Sequence, residues 1–205
     1  MRQPENYSEI VKRENMARQM QFHFLYNTLS SIREVVLQDP EYASDLIYDF
    51  TVYLRACIRT MQNQELISVY QEMEYVRAYV NIEKMRMGKR LHVTYDLQSE
   101  DFKIVPLSIQ PLVENAIRHG IFPKGLQGGN VSIKAETLAG CHIITVKDDG
   151  VGFDYQKVQD EVRRGERDSV GLDNTTSRLK QQCNADIVIT SEIGTGTTVT
   201  ILVPI

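Results

Sequence analysis

The sequence predicts an α+β protein in which an N-terminal helical hairpin is followed by an α/β sandwich. Two observations favour this class. Apolar residues recur at steps of three and four in the first half of the chain, whereas short alternating apolar runs occupy the second half. A glycine-rich tract between Gly150 and Gly171 interrupts these runs. A chain of 205 residues allows two small domains, and we place their boundary near residue 90, giving domains of residues 1–90 and 91–205.

The first half is predicted to be helical from about Glu5 to Gln38. Asp39 is then expected to cap a second helix that begins at Pro40. One hairpin buries little apolar surface, so we expect two copies to associate as a homodimeric four-helix bundle. The apolar stripes are Leu25, Leu29, Ile32 and Val36 in the first helix and Leu46, Phe50, Leu54, Cys57 and Met61 in the second. The residues expected in the bundle core are Leu25, Leu29, Ile32, Leu46, Phe50 and Leu54.

A third helix is predicted from Ser68, which has capping-box spacing to Gln71, to about Met87, with Gly88 ending it. The second half then alternates strands with two helices. The predicted helices cover Pro106–His119 and Gly171–Cys183, and the predicted strands cover His92–Leu97, Val131–Ala135, Ile143–Val146, Ile187–Ile189 and Val199–Val203.

The composition excludes several classes of protein. With 23 basic and 27 acidic residues the net charge is −4, which does not suit a general nucleic-acid or membrane-surface binder. The three cysteines are widely spaced and fit no metal-ligand pattern. No apolar run approaches the ~20 residues that span a bilayer. We therefore expect a cytoplasmic location.

His23 is the most informative residue of the first half. At ~100° per residue it lies roughly 210° from the centre of the apolar stripe, so we expect it to face solvent. An exposed histidine is ordinarily a surface residue, but Phe22, Phe24 and Tyr26 surround this one with apolar groups, which is typical of a docking surface. A neutral imidazole is also a competent nucleophile near neutral pH.

The segment around His23 reads QMQFHFLYN from residue 19 to residue 27. It resembles the phosphoacceptor segment of the LytS-type sensor histidine kinases, which usually reads QxxPHFLFN. Phe22 stands where that family has proline. The resemblance implies that His23 is the phosphoacceptor, and that residues 1–90 form a dimerisation and phosphoacceptor region. It also implies that membrane attachment would come only through an upstream sensor region.

Polar residues in the second half suggest a nucleotide site. On a helix, Asn115, Arg118 and His119 would share a face, and an amide oxygen beside two basic groups suits Mg²⁺ and a triphosphate. An ordinary solvated face explains the same spacing. Asp148 ends a predicted strand, where its carboxylate could accept a hydrogen bond from the exocyclic amine of adenine, which guanine lacks at that place. Gly150 and Gly152 then allow a close backbone approach, although a simple turn would need them too.

Two further tracts complete the pattern. Gly171 and Leu172 open a helix whose free amides could face phosphate oxygens. The polar tract before them, with Arg163 and Arg164, has the composition of a lid over a nucleotide or of a solvated loop. Near the end of the chain, Thr198 follows a Gly-Thr-Gly-Thr turn, which is either a phosphate or adenine contact or simply a hairpin turn.

In their order and spacing these tracts resemble the N-box, the DxGxG box, the lid, the second glycine box and the terminal hairpin of the GHKL (Bergerat) ATPase fold. Histidine kinases share this fold with DNA gyrase. The resemblance implies that residues 91–205 bind ATP through the residues named above, and that Asn115 holds Mg²⁺. Asp149 stands where the family more often has asparagine.

The reaction depends on which nucleophile receives the phosphoryl group. Hydrolytic members of this fold carry a glutamate four residues before the metal-binding asparagine, and Pro111 occupies that place here. Glu114 is the nearest carboxylate and a possible base. We therefore expect autophosphorylation of His23, followed by transfer to an aspartate of a response regulator. The alternatives are a catalytically weak, ATP-binding dimeric signalling scaffold and a hydrolytic ATPase.

Overall fold

The computed structural model describes residues 24–62, 65–164 and 172–205. Contacts divide the chain into two compact units, Met1–Phe50 and Thr51–Ile205. The predicted phosphoacceptor His23 and the predicted nucleotide contact Gly171 lie outside the described residues. Among the described helices, none combines the length and the apolar character needed to cross a membrane.

Two helices occupy the described part of the first unit. Helix α1 covers residues 24–36, and helix α2 (Pro40–Gln62) continues past the end of this unit. The predicted start of α2 is confirmed, because the Asp39 carboxylate accepts a hydrogen bond from the Tyr42 amide at 3.0 Å. Of the apolar-stripe residues in the first unit, Ile32, Leu46 and Phe50 are buried within the single chain and Leu25 is partly buried, whereas Leu29 and Val36 are exposed.

Helix α3 (Val69–Met87) belongs to the second unit and is largely buried. Its predicted caps are confirmed, because Ser68 Oγ accepts from the Gln71 amide at 3.2 Å and Gly88 ends the helix with a φ of 58°. A 3₁₀ turn (Gly88–Arg90) follows. A short antiparallel pair that the sequence did not predict, β1 (Ile67–Ser68) with β3 (Lys103–Ile104), packs beside the start of α3.

A five-stranded mixed sheet forms the second layer. Its strands are β2 (Leu91–Leu97), β4 (Gly129–Leu138), β5 (Cys141–Asp148), β6 (Asp186–Glu192) and β7 (Gly196–Pro204), and all five predicted strands are confirmed. Their order in the sheet is β2-β4-β5-β7-β6, with β2 parallel to β4 and the other neighbours antiparallel. Alternate residues of the three central strands are buried, so one face of the sheet packs against helices, as the predicted sandwich requires.

The helices of the second half differ from the prediction at their ends. Helix α4 (Gln110–Asn115) starts four residues later than expected, because Leu107 has a positive φ of 53° that no α-helix contains. The chain then continues as a π-helical segment (Ala116–Ile121) and a 3₁₀ segment (Phe122–Gln127). The tract predicted as a lid or loop contains helix α5 (Tyr155–Arg163), and helix α6 (Asp173–Cys183) ends at the predicted residue.

Candidate nucleotide site

Asp148 is the last residue of the central strand β5, and its side chain is only 4% exposed on the helix-covered face of the sheet. The Gly150 amide donates to its Oδ1 at 2.8 Å. Burial raises the pKa of Asp148, and hydrogen bonds from the Gly150 and Thr197 amides partly oppose that effect. A carboxylate has about four acceptor positions, so two amide donors leave it able to accept further hydrogen bonds.

Glycines enclose this carboxylate because side chains would not fit beside it. A Cβ added to Gly120 would lie 2.5 Å from Asp148 Oδ1, and one added to Gly150 would overlap the backbone of Gly120. The Val151 amide also donates to the Gly120 carbonyl at 3.0 Å. The end of β5 and the π-helical segment are thus in direct backbone contact.

Gly152 lies where the turn after β5 meets the hairpin between β6 and β7. Its φ is 59°, and an added Cβ would overlap the Glu192 carbonyl. Val151 accepts a hydrogen bond from the Gly194 amide at 2.7 Å. Because the turn is held on both sides, Gly150 and Gly152 are positions that only glycine can occupy without rearrangement.

Asp149 joins the turn to the start of β4 and to the 3₁₀ segment that precedes it. It accepts hydrogen bonds from the amide and the side chain of Asn130 and an ion pair from Lys124 Nζ. Burial opposes the charge of Asp149, but the Asn130 and Lys124 donors outweigh it and lower its pKa. The sequence did not predict this cluster, since its three members lie in different elements.

The predicted site residues of this region lie on two consecutive segments. Glu114 and Asn115 end helix α4, and Arg118 and His119 lie on the π-helical segment that follows. Asn115 is half-buried at the end of α4, and Arg118 and His119 are exposed on the π-helical segment. Arg118 pairs with Glu114 at 2.8 Å instead of standing alone as a cation. Burial lowers the pKa of Arg118, but this pairing outweighs it and raises the value.

Glu114 faces helix α3. Burial is the main cause that raises the pKa of Tyr79 and of Glu83 on that helix, and the Glu114 charge adds to both effects. The structure therefore brings Glu114 and Arg118 together beside α3, whereas the shared face expected for Asn115, Arg118 and His119 assumed regular α-helical spacing, which the π-helical segment does not keep.

The terminal hairpin places Thr197, rather than Thr198, on the same face as Asp148. Thr197 is the register partner of Asp148, and Thr198 is that of the exposed Lys147. Because neighbouring strand residues point to opposite faces, the structure does not bring Thr198 together with Asp148. Thr197 Oγ1 also lies 2.9 Å from Ser191 Oγ, which ties the hairpin strands together. The alternation of side chains along the predicted strand shows that Thr197 and Thr198 lie on opposite faces. It does not show which face carries Asp148.

Leu172 is buried at the N-cap of α6, where its carbonyl accepts from the Thr176 amide at 2.7 Å. No group of three or more His, Cys, Asp or Glu side chains that could bind a metal occurs in the described parts of the chain. Mg²⁺ that accompanies a nucleotide is held mostly by phosphate oxygens and water, with one or two protein oxygens. The single amide oxygen of Asn115 fits an ion of that kind.

Comparison with known proteins decides the family. The histidine kinase model matches residues 11–91, and the model of histidine kinase-, DNA gyrase B- and HSP90-like ATPases matches residues 105–205. YwpD of Bacillus subtilis (strain 168) is 36% identical over 189 residues, which cover 90% of this chain and 67% of YwpD. The chain belongs to the histidine kinase family. The resemblance found in its sequence is thereby confirmed.

This histidine kinase also resembles longer proteins. The sensor histidine kinase YpdA of Escherichia coli (strain K12) is 38% identical over 162 residues, which cover 77% of this chain and 28% of YpdA. The sensor histidine kinase BtsS of the same strain is 31% identical over 186 residues, covering 89% of this chain and 31% of BtsS. The chain therefore spans less than a third of the length of these two relatives.

Solved structures share the fold of this histidine kinase. The catalytic domain of histidine kinase ThkA matches with a TM-score of 0.53 and 12% identity, covering 69% of this chain and 96% of that domain. ThkA in complex with the response regulator protein TrrA matches with a TM-score of 0.52 and 11% identity, covering 96% of this chain and 63% of ThkA. The predicted α+β fold with a GHKL-type second part is confirmed.

Proposed function

We propose that this chain transfers the γ-phosphoryl group of ATP to His23 and then to an aspartate of a response regulator. The observation that carries the proposal is the buried Asp148 carboxylate at the end of β5, enclosed by Gly120 and Gly150. The two roles belong to two domains that meet near residue 90. Residues 1–90 dimerise and present His23, and residues 91–205 bind the nucleotide.

Asp148 supports recognition of adenine. An ionised carboxylate can only accept hydrogen bonds, so it binds the exocyclic amine of adenine and repels the carbonyl that guanine carries at that place. Because Asp148 is 4% exposed, water compensates little for a mismatched partner, and the penalty for guanine is large. Thr197, on the same face of the sheet, takes the role of hairpin contact first assigned to Thr198.

The phosphate end of the nucleotide is assigned to α4 and to the start of α6. Asn115 would hold Mg²⁺, which neutralises charge on the phosphate oxygens when it is bound. We assign contacts with the phosphate oxygens to Arg118 and His119, which follow Asn115 on the π-helical segment, and to the backbone amides of the segment of Gly171 and Leu172. In phosphoryl transfer such positioning and charge neutralisation provide most of the rate.

The transfer itself breaks the bond between the γ-phosphorus and the bridging oxygen of ATP and forms a bond from that phosphorus to a ring nitrogen of His23. ADP leaves with the electron pair, and the proton of the attacking imidazole passes to a base. We assign that base to Glu114, the carboxylate next to Asn115 in the chain, which pairs with Arg118 at 2.8 Å.

The partners are proposed on separate grounds. ThkA was solved with a response regulator, which supports a partner of that class for this chain. Leu29 and Val36 are 52% and 43% exposed in the single chain, which supports their burial in a homodimer. We propose no nucleic-acid partner, a cytoplasmic location, and contact with a membrane only through an upstream sensor region.

The experiment is incubation of the purified chain with radiolabelled ATP and Mg²⁺. We expect an acid-labile, alkali-stable label that is lost in His23→Gln and kept in the control His92→Gln, since His92 is exposed on β2. Mass spectrometry at neutral pH would locate the phosphoryl group. Label retained by His23→Gln contradicts the proposal. Nucleotide binding without any label would instead indicate the scaffold, and steady phosphate release without a phosphoenzyme would indicate the ATPase.

A further inference from the structure

Glu72 of helix α3 is a fully buried carboxylate that binds the start of helix α4. Its side chain is 0% exposed. The amides of Leu107, Ser108 and Ile109 donate to it at 2.8, 2.8 and 2.9 Å, and that of Gln110 at 3.4 Å. These donors lie 35 to 38 residues further along the chain. Burial raises the pKa of Glu72, and the four donors oppose that effect.

This contact replaces a local helix cap. The first amides of a helix have no partner within the helix and carry its positive dipole end. The N-cap residue of α4, Ile109, has no side-chain oxygen to offer them. Glu72 supplies both the acceptor and the compensating negative charge from another helix. The position of α4 is therefore set by α3.

Arg178 of helix α6 holds the same segment from a second side. Its guanidinium donates to the Pro106 carbonyl. Burial lowers the pKa of Arg178, and the charge of Glu72 acts in the opposite direction, so the two side chains are close enough to interact. The segment from Pro106 to Gln110 is thus bound by a carboxylate of α3 and by a cation of α6.

We infer that Glu72 is a positioning residue for the nucleotide site, and that with Arg178 it sets the placement of Asn115. This inference rests on the proposed function. Helix α4 has six residues, so a shift at Gln110 is carried directly to Asn115 at its other end. Asp148, in contrast, is held by the amides of Gly150 and Thr197, which do not involve Glu72.

Nucleotide affinity then has two parts, the affinity measured without Mg²⁺ and the gain in affinity when Mg²⁺ is added. The gain requires Asn115 and should therefore depend on Glu72. The affinity without Mg²⁺ rests on Asp148 and should not depend on Glu72. A merely structural role for Glu72 would lower both parts together.

The test uses Glu72→Gln, which keeps the size of the side chain and loses the charge, beside Glu74→Gln, whose residue is exposed on the same helix. Binding of a fluorescent ATP analogue is measured with Mg²⁺ and with a chelator. We expect Glu72→Gln to lose at least about tenfold of the Mg²⁺-dependent gain in affinity while binding in chelator changes less than about twofold, and Glu74→Gln to match the parent. Equal losses in both conditions, or no loss, would overturn the inference.

Arg178→Lys provides a second test should Glu72→Gln fail to fold. Lysine keeps the charge but not the reach and planar geometry of the guanidinium. We expect it to reduce the Mg²⁺-dependent gain in the same direction, and an unchanged gain in this variant would overturn the inference. Failure of the parent chain to bind the analogue at all would instead contradict the proposed function.

Discussion

The ammonium group of Lys124 binds two oxygens of Asp149 at once, the main-chain carbonyl at 2.8 Å and Oδ1 at 3.3 Å. It thereby links the 3₁₀ segment after the π-helix to the turn that follows Asp148. Asn130 donates to the same carboxylate, so Asp149 acts as the junction of three elements beside the proposed nucleotide site.

This junction predicts a pH-dependent contribution to stability. The pKa of Asp149 is lowered in the folded state, because the Asn130 and Lys124 donors outweigh burial. A lowered pKa means that the contribution is present above the unfolded value of about 3.9 and is lost as the pH falls through the folded value. We expect Asp149→Asn to lower the free energy of unfolding by about 0.5 kcal/mol at pH 7, since the partly exposed charge is screened.

Urea denaturation at a series of pH values measures this effect. The difference between parent and Asp149→Asn should shrink towards zero on acidification. Asp101→Asn, at an exposed residue, is the control and should unfold like the parent at pH 7. A constant difference from pH 7 to pH 3 would show that the effect of the substitution is not electrostatic.

Gly152 and Gly140 form a matched pair for a test of the close approach beside Asp148. Both have positive φ values, 59° and 79°, but an added Cβ meets nothing within 4 Å at Gly140 and overlaps the Glu192 carbonyl at Gly152. Alanine at either site costs roughly 1–2 kcal/mol for the left-handed backbone. Overlap adds about 1–3 kcal/mol more at Gly152. Equal free energies of unfolding for the two variants would contradict the described packing.

Thr197 and Thr198 test which face of the hairpin contacts the nucleotide. Substitution by valine keeps the β-branched shape and removes only the hydroxyl. Loss of the Thr197 hydroxyl, the proposed hairpin contact with the nucleotide, should weaken binding of a fluorescent ATP analogue by about threefold to tenfold, since one hydrogen bond contributes about 0.5–1.5 kcal/mol. Thr198→Val should bind like the parent. The reverse order would place the nucleotide on the other face of the sheet.

We expect replacement of Ser108 by alanine to stabilise the protein. Its side chain is 0% exposed, and among the described residues its hydroxyl has no hydrogen-bond partner. Leaving a buried hydroxyl unsatisfied costs about 1–3 kcal/mol, so Ser108→Ala should raise the free energy of unfolding by about 1 kcal/mol. Thermal and urea denaturation would measure it, with the exposed Ser132→Ala as control. A loss of stability would indicate that the hydroxyl binds a group such as water.

The local features of the fold were predictable from the sequence because each depends on residues that are close in the chain. Ser68, Asp39 and Gly88 act as caps within a single turn of helix, and the period of two in β4, β5 and β7 follows from burial of one face. Asp148 was also predictable, since an acidic residue at a strand end followed by two glycines is a local pattern.

The remaining features depend on contacts that no local pattern encodes. Glu72 looks in the sequence like a solvated helix residue, because its partners begin 35 residues later. The choice between Thr197 and Thr198 depends on how β7 pairs with β5, and a shift of one residue would exchange them. The π-helical segment after Asn115 changes the face of Arg118 and His119 without a glycine or proline at its start.

The position of β7 between β5 and β6 has a consequence for how the protein is made. A nascent chain that has emerged only as far as β6 contains Asp148 and every glycine of the turn, yet the two strands that will flank β7 both have open edges. Ribosomes must therefore translate through β7 before the carboxylate acquires its Thr197 donor. Until then the unpaired edges of β5 and β6 are available for pairing with other chains.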